Sequence, residues 1–370
     1  MSGRFEGVVL GTGHNALVLQ AYLCRSGLRV LSLDRAEVAG GGLVTIENPN
    51  HPGYLHNTHS FYHRAITSMP WYTDLELERH GARYIEPELN VAMIGPGGRV
   101  LKWWTDFERT YESVARVSVR DADVLAGWVS RFEPIVERLL IPEASSPPWP
   151  AEQRRERFER TAEGRLLLEV SSCSPLEFVR SEFENPFVRA GLLFFNGLRE
   201  VDVRQRGFGH SIPALMASRH KAQMCIGGSA RLADALVADI VEHGGEVICG
   251  VEIDGILVDR GRASGVEFGG GRRVTGVDFV ASGLNPQQTL LELIDADAVP
   301  ASTARRAERF EYNLLAPLFA LNLVLSEPPA YLAAATDPDL DSALMTILGL
   351  GDDGQFEEIV AAHERGTIPG

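Results

Sequence analysis

One acid and three small residues near the N-terminus have the types and spacing that could hold the diphosphate and ribose of a dinucleotide: Gly11, Gly13, Ala16 and Asp34. Gly11 permits a tight turn, Gly13 lets a diphosphate approach the backbone, and Ala16 lets a helix pack closely on a sheet. Asp34 can accept hydrogen bonds from ribose hydroxyls, and its charge disfavours a 2′-phosphate. The alternative is a glycine turn in an ordinary βαβ unit without a ligand. The position of the acidic residue favours a dinucleotide site over this alternative.

The elements needed to position these residues are predicted around them. The hydrophobic pattern predicts strand, helix and strand in turn, at residues 8–10, 16–23 and 29–33. Asp34 then lies at the tip of the second strand. The start of the helix, with His14 and Asn15, would direct free N–H groups towards the phosphates. We call residues 11–16 the first glycine turn.

A second glycine cluster, at residues 40–42, follows Asp34 closely, where a nicotinamide-binding domain needs none. This arrangement resembles the FAD-binding domain of the glutathione-reductase and amine-oxidase superfamily, and within it the phytoene-desaturase-like FAD-dependent oxidoreductases. The resemblance implies that Gly41 and Gly42 lie near the pyrophosphate and ribityl chain of FAD, with Arg35 close by. The family more often has Glu at the position of Asp34, so the carboxylate here has a shorter reach.

The resemblance continues in a later segment. Ser229 is predicted to cap a helix that stops at residues 244–245. Short strands follow, the last three forming a β-meander, at residues 246–248, 255–258, 265–268 and 273–274. A further strand, residues 277–283, ends in Ala-Ser-Gly where the family has an Ala-Thr-Gly-like turn. The resemblance implies that the Val251 backbone meets the adenine and that Ser282 lies on the same side.

These segments predict an α/β fold with two domains, for which 370 residues, 45% of them hydrophobic, are sufficient. The first is a Rossmann-type FAD-binding domain with a β-meander, and the second is an inserted, mixed α+β substrate domain. The FAD-binding domain is assigned to residues 1–60 and 225–290, and the substrate or cap domain to 61–224 and 291–370. In the insert, Gly-Pro-Gly-Gly predicts a hairpin turn at residues 95–98.

Histidines are concentrated between residues 51 and 63, where four of the ten lie. A metal site is not predicted, because no Glu follows His59 in an H-E-x-x-H pattern and no acidic group is close by. The family resemblance instead implies that this segment lies beside the flavin ring. His59 and Ser60 are then the candidates to face the substrate, and no catalytic base is identified.

The pattern Gly-Leu-Gly-Asp-Asp-Gly at residues 349–354, which we call the second glycine turn, repeats the glycine spacing after an apolar run. Asp352 and Asp353 would place two carboxylates where a pyrophosphate must lie, and no second strand with an acidic tip follows. We therefore predict a loop in which Asp353 caps the last helix.

Charge and cysteine content limit the partners and the compartment. Fifty acidic against 35 basic residues give a net charge of −15, which disfavours nucleic acid and anionic membranes as partners. No apolar run approaches the length of a membrane span, and the first strand leaves no room for a signal peptide, so a cytoplasmic protein is expected. Neither a zinc site nor a disulfide framework is predicted, since CxxC spacing is absent among Cys24, Cys173, Cys225 and Cys249.

The resemblance implies an FAD-dependent dehydrogenase or desaturase that takes hydride from a C–H bond of an apolar or cyclic small molecule. Oxygen, a quinone or another carrier would reoxidise the flavin, because the sequence shows no second dinucleotide site. A flavin amine oxidase is the alternative within this class. The alternative from another class is a non-catalytic scaffold subunit derived from a flavoprotein.

Family members continue beyond the region matching residues 314–365 with a strand and a glycine-rich helix start that reach the flavin ring. This sequence stops before such a segment. Two explanations are open: the sequence is a shortened form of a longer protein, or a second polypeptide supplies the missing part. We expect the second, a hetero-oligomer in which a partner chain completes the flavin site.

Overall fold

Residues 4–197, 202–311 and 321–368 are described by the structure, a computed structural model, and they divide into two units. The first unit comprises residues 4–86, 222–311 and 321–326. The second unit comprises residues 87–197, 202–221 and 327–368. Each unit is therefore assembled from segments that are far apart in the sequence.

The strands of the described residues are, in chain order, β1 (Gly7–Leu10), β2 (Val30–Leu33), β3 (Thr45–Glu47), β4 (Leu55–Asn57), β5 (His63–Arg64), β6 (Tyr84–Ile85), β7 (Leu89–Ile94), β8 (Val100–Trp104), β9 (Ala222–Cys225), β10 (Glu246–Ile248), β11 (Ile253–Asp259), β12 (Arg262–Phe268), β13 (Arg272–Thr275), β14 (Phe279–Ser282) and β15 (Met345–Leu348). The α-helices are α1 (His14–Arg25), α2 (Pro70–Asp74), α3 (Phe107–Ala115), α4 (Val119–Ile135), α5 (Ile141–Ala144), α6 (Ala151–Glu159), α7 (Ala162–Ser171), α8 (Pro175–Glu182), α9 (Pro186–Gly197), α10 (Ser211–Ala217), α11 (Ala230–Glu242), α12 (Ala301–Glu308) and α13 (Gly354–Glu364). Among the helices of the described residues, none combines the length and the apolar character needed to cross a bilayer.

A parallel sheet in the order β10-β2-β1-β14 forms the centre of the first unit. Every residue of β1 and β2 is buried, which is typical of a parallel sheet covered on both faces. Helix α1 follows β1 and packs against α11 in an apolar cluster that includes Leu17, Ala21, Leu236 and Ile240. The predicted strand, helix and strand around the first glycine turn are confirmed.

Three antiparallel sheets complete the first unit, and the smallest of them pairs β3 with β4. Strands β11, β12 and β13 pair in sequence order and form the meander that the sequence predicts. The third sheet has the order β5-β9-β6, with β9 in its centre. Its outer strands are only two residues long, which is why no sequence pattern indicated them.

A sheet in the order β15-β7-β8 and most of the helices form the second unit. Strands β7 and β8 are the predicted hairpin, and β15 runs parallel to β7. Aromatic side chains fill the core between the helices, among them Trp128, Phe132, Phe178, Phe183 and Phe187. The mixture of helices and strands in this unit agrees with the predicted class.

The first unit extends past the residues assigned to the FAD-binding domain, 1–60 and 225–290. Residues 61–86 belong to it because β5 and β6 pair with β9, and because Tyr72, Leu75 and Leu77 are buried in its core. Residues 291–311 and 321–326 belong to it as well, and Leu293 joins the apolar cluster beneath the meander. The assignment of a cofactor role to this unit stays a prediction.

Candidate dinucleotide site

The first glycine turn leaves the carboxyl end of β1 and begins α1 within three residues. Gly11 has φ +88°, in the left-handed region that favours glycine. Gly13 is the residue that caps α1, in extended conformation with φ −63°. Because glycine has no side chain to accept a hydrogen bond, the first N–H groups of α1 are not consumed by their own cap residue, as an anion site requires.

The two predicted glycine clusters meet in the structure. The amide of Gly40 donates to the carbonyl of Thr12 at 2.8 Å, and Gly13 and Gly40 form a parallel bridge. A Cβ placed on Gly41 would lie 3.0 Å from Cα of Gly13, and Gly41 has φ +57°. Glycine at this position is therefore needed for the two backbones to approach each other.

Two other glycines of the same turns face open space. A Cβ placed on Gly13 or on Gly42 would have no described atom within 4 Å. Neither glycine is required by protein packing, so the space beside them suits a group that needs close access to the backbone. This is the fit expected for the diphosphate of a dinucleotide.

The first turn of α1 carries the other residues of the motif. The side chains of His14 and Asn15 are exposed, whereas Ala16 is buried. A Cβ placed on Gly283 would lie 3.0 Å from the Cβ of Ala16, so these two small residues let α1 pack on the end of β14. The small residue predicted at position 16 thus has a packing role.

Asp34 lies at the tip of β2 and is hydrogen-bonded within the protein. Its Oδ2 accepts from the amide of Thr12 at 2.6 Å and from the Thr12 hydroxyl at 2.7 Å, and its Oδ1 accepts from the amide of Ala36 at 2.9 Å. The carboxylate is thereby held against the first glycine turn. Thr12 occupies the variable position between the two glycines, so the motif itself gave no sign of this role. Oδ1, which accepts one hydrogen bond, retains a lone pair for a ribose hydroxyl, whereas both lone pairs of Oδ2 are used by Thr12.

Val251 and Ser282, which are both predicted on the adenine side of the cofactor, lie at the ends of different strands of the parallel sheet. Val251 follows β10 and Ser282 ends β14, and these are the two outer strands of the parallel sheet. Neighbouring strands lie about 4.8 Å apart, and Val251 bonds to Asp34 at the tip of β2, so the two residues lie at strand ends roughly 10 Å apart. Ser282 pairs with Leu10, directly before Gly11. The place of Ser282 on the adenine side of the cofactor stays a prediction.

Two further predicted contacts depend on groups at the tip of β2. The amide of Val251 donates to the carbonyl of Asp34 at 2.9 Å. The carbonyl oxygen of Val251 is then left for the predicted contact with adenine. The side chain of Arg35 is exposed. It lies one residue beyond Asp34, on the same loop as the second glycine cluster.

His59 and Ser60, the candidates for the substrate face, lie in the loop that follows β4. The ring of His59 is exposed, and its Nδ1 lies 3.0 Å from the hydroxyl of Thr58. The amide of Ser60 donates to the carbonyl of Gly42 at 3.3 Å. The loop is therefore in direct contact with the second glycine cluster.

A buried polar cluster that no sequence pattern indicated follows this loop. Nδ1 of His63 lies 2.7 Å from the hydroxyl of Tyr84, which also hydrogen-bonds the thiol of Cys225. Burial, with a smaller contribution from charge on His14, lowers the pKa of His63 to about 4. Burial also raises the pKa of Tyr84 and the pKa of Cys225. Imidazole, phenol and thiol are consequently neutral at pH 7.

Comparisons with known proteins find relatives in sequence and neighbours in fold. No protein-family model matches the chain. In sequence it is similar to the B subunit of limonene dehydrogenase from Castellaniella defragrans, with 28% identity over 96% of this chain and 66% of that protein. The chain thus spans about two thirds of the length of this relative.

Solved structures share the fold at lower sequence identity. An oxidoreductase from Methanosarcina mazei has a TM-score of 0.59 and 16% identity, over 82% of this chain and 65% of that one. A triple mutant of putrescine oxidase, redesigned in cofactor binding, has a TM-score of 0.55 and 14% identity, over 82% and 63%. These matches show that the chain shares its fold with an oxidoreductase and an amine-oxidising enzyme, and they do not single out the phytoene-desaturase-like family.

Proposed function

We propose that this chain binds FAD in a Rossmann-type site and acts as a dehydrogenase or desaturase on a C–H bond of an apolar or cyclic small molecule. The observation that carries the proposal is the meeting of two glycine clusters at the start of α1. Gly41 is required there for packing, while Gly13 and Gly42 leave the backbone open. A dinucleotide would use both properties.

The residues of the site divide the work of binding among them. Backbone N–H groups of Gly13, His14 and Asn15 would bind the diphosphate, and Gly42 would let it approach. Asp34, already fixed by Thr12, would accept from the ribose hydroxyls. We assign the remaining contacts as proposals: Gly11, Gly41 and Ser282 beside the first glycine turn, Ala16 through the packing of α1, and Arg35 and Val251 beside the tip of β2.

Bound FAD would supply the acceptor of a hydride, which carries two electrons and one proton. The contribution of the chain is then to hold the substrate C–H bond against the cofactor and to exclude water. His59 and Ser60 are the proposed residues of the substrate face. Support for an apolar, cyclic substrate comes from the name of the relative, since limonene is a cyclic hydrocarbon. A hydrocarbon offers no charged group, so its recognition would depend on apolar contacts.

We also propose that the chain works as one subunit of a larger assembly. The support is again the name of the relative, which is a single subunit of its enzyme. Native mass spectrometry of the protein purified from its own cells tests this proposal. The particle is expected to contain a second polypeptide of different sequence, which peptide mapping of its separated chains identifies; a particle made only of this chain would contradict the proposal.

The decisive experiment measures flavin and its reduction in one preparation. The purified protein should be yellow, release FAD on denaturation, and lose its visible absorption without oxygen when limonene is added. Putrescine serves as the comparison substrate, and bleaching by putrescine alone would favour an amine oxidase. FAD without bleaching by any C–H or amine substrate would favour a non-catalytic subunit, and a colourless protein that takes up no added FAD would overturn the proposal.

A further inference from the structure

Ser229 precedes α11 and makes its hydrogen bonds to a different part of the chain. Its hydroxyl donates to the carbonyl of Ser60, and its amide donates to Oδ1 of Asn57 at 2.9 Å. The residue is only 1% exposed. The prediction that Ser229 caps α11 with its own side chain is therefore wrong, because the hydroxyl is directed to the loop after β4.

Thr45, which lies on β3, caps α11 with its side chain. Its Oγ1 accepts from the amide of Ala230 at 3.0 Å and donates to Oδ1 of Asn57 at 2.7 Å. A Cβ placed on Gly228 would lie 2.7 Å from the side chain of Thr45, and Gly228 has φ +97°. The glycine allows this close approach, so the start of α11, β3 and the end of β4 form one partly buried polar cluster.

The loop of residues 57–60, which is bonded to this polar cluster, also contacts the second glycine cluster. The amide of Thr58 donates to the carbonyl of Val44 at 3.2 Å, and the amide of Ser60 donates to the carbonyl of Gly42 at 3.3 Å. The bond from Ser229 reaches the carbonyl of the same Ser60. Ser60 is thus fixed through both of its backbone polar groups, one by the glycine segment and one by Ser229.

We propose that Ser229 is a positioning residue that fixes the loop of residues 57–60 in a single geometry, with Thr45 as its support. The flavin-related part of this inference rests on the proposed function, which assigns His59 and Ser60 to the substrate face. A loop held in this way presents those two side chains without an ordering cost at each binding event. Ser229 acts through the loop and need not touch the substrate.

Hydrogen–deuterium exchange of the purified chain tests the positioning role and needs no cofactor. In Ser229→Ala, exchange of the amides in residues 57–60 should become about tenfold faster, as expected for the loss of a buried hydrogen bond. If Ser229 served only α11, the faster exchange would instead appear in residues 230–234. An unchanged rate in residues 57–60 would overturn the proposal.

Ser32→Ala is the matched control. Ser32 is buried in the same unit, and its hydroxyl donates to Oε1 of Gln20 between β2 and α1. This variant should accelerate exchange around β2 and α1 and leave residues 57–60 at the wild-type rate. Acceleration of residues 57–60 in both variants would mean a general loss of stability and would contradict a specific role for Ser229.

A second pair of variants covers the case in which Ser229→Ala does not fold. Thr45→Val removes the hydroxyl that Asn57 and Ala230 share, and it should loosen residues 57–60 and the start of α11 together. Thr45→Ser keeps the hydroxyl and should restore wild-type exchange in both places. Loosening of α11 alone in Thr45→Val would contradict the proposal.

FAD is the probe for the part that depends on the proposed function. Ser229→Ala should release bound FAD about tenfold faster than Ser32→Ala, since the loop rests on the second glycine cluster. Equal release from the two variants, with faster exchange in residues 57–60, would limit the role of Ser229 to the loop itself. A wild-type chain that takes up no FAD would refute the proposed function, and the exchange result would still decide the positioning role.

Discussion

The first and second glycine turns have the same glycine spacing, and each joins a strand to a helix. The first turn follows a central strand of a parallel sheet, whereas the second follows β15, the outer strand of its sheet. The larger difference is whether side chains of the turn accept hydrogen bonds from its backbone amides. Helix α1, which follows the first turn, is capped by Gly13, and glycine has no side chain that could accept from an amide.

In the second glycine turn, local side chains occupy the backbone amides. Oε1 of Gln355 accepts from the amide of Gly351 at 2.6 Å, and Oδ1 of Asp352 accepts from the amide of Gly354 at 2.9 Å. Asp353 does not cap α13 as predicted, since its carboxylate accepts from Arg180 at 2.8 Å. A glycine motif therefore becomes an anion site only if the turn leaves its N–H groups to the ligand.

The largest difference between the two turns is expected in FAD affinity. Gly13→Val adds a side chain where the protein has no atom within 4 Å, so the fold should accept it while the diphosphate is excluded. Loss of two charge-assisted hydrogen bonds, each worth about 2 kcal/mol, corresponds to roughly a thousandfold weaker binding. Titration of tryptophan fluorescence with FAD measures it.

Gly351→Val in the second turn is the control and should leave FAD affinity unchanged. The melting temperature of each unliganded variant separates binding from folding. Normal FAD affinity in Gly13→Val would refute the assignment of the first turn.

Substitution of Gly41 and of Gly42 should change the free energy of unfolding by different amounts, because only Gly41 is closely packed. Gly41→Ala forces φ +57° on alanine and brings a Cβ to 3.0 Å from Gly13, so the free energy of unfolding should fall by roughly 2–3 kcal/mol. Gly42→Ala meets no described atom within 4 Å and should change stability by less than about 0.5 kcal/mol. Urea denaturation of the two variants measures the difference, and equal values would contradict the packing role of Gly41.

Acid should weaken the unit that contains the first glycine turn through His63. Its pKa is lowered to about 4 in the folded protein, against about 6.5 when unfolded, so the unfolded state binds the proton more tightly. The stabilisation by neutral His63 is complete above pH 6.5 and is lost as the pH falls towards 4. At pH 5 the loss should be about 2 kcal/mol.

Urea denaturation at pH 8 and pH 5, with His63→Gln alongside the wild type, isolates this contribution. The variant should lose less stability on acidification than the wild type. The same pH dependence in both proteins would show that His63 does not titrate as expected.

The smallest effect is expected from removing a side-chain hydrogen-bond acceptor in the second glycine turn. Asp352→Ala removes the acceptor of the Gly354 amide and should cost about 1 kcal/mol of unfolding free energy. Because the neighbouring amides remain bonded to Gln355, the variant should gain no affinity for FAD. Measurable FAD binding at this turn in an Asp352→Ala, Gly13→Val double variant would break the distinction between the two turns.

Elements encoded by neighbouring residues could be predicted from the sequence. The strands and helix around the first glycine turn, the β7–β8 hairpin and the meander each follow from a local hydrophobic pattern with glycines at its turns. The β5-β9-β6 sheet could not be predicted, because it pairs two-residue strands with a strand far along the chain.

In the candidate site, residue types were easier to predict than their partners. Thr12 stands at a variable position of the motif, so the pattern gives no sign that it binds Asp34. A serine before a helix usually caps it, and only the tertiary approach of the loop after β4 redirects Ser229 to Ser60. The separation of Val251 and Ser282 follows from strand order, which no short motif encodes.

The position of β1 in the middle of its sheet has a consequence for synthesis on the ribosome. Its neighbour β2 follows at once, but β14 on its other side is more than 260 residues away in the sequence. At about 5–20 residues per second, the apolar strand Gly7–Leu10 waits roughly 15–55 s with one edge unpaired. The yield of folded protein in a cell should therefore depend on chaperones that cover this nascent edge more than on the stability of the finished sheet.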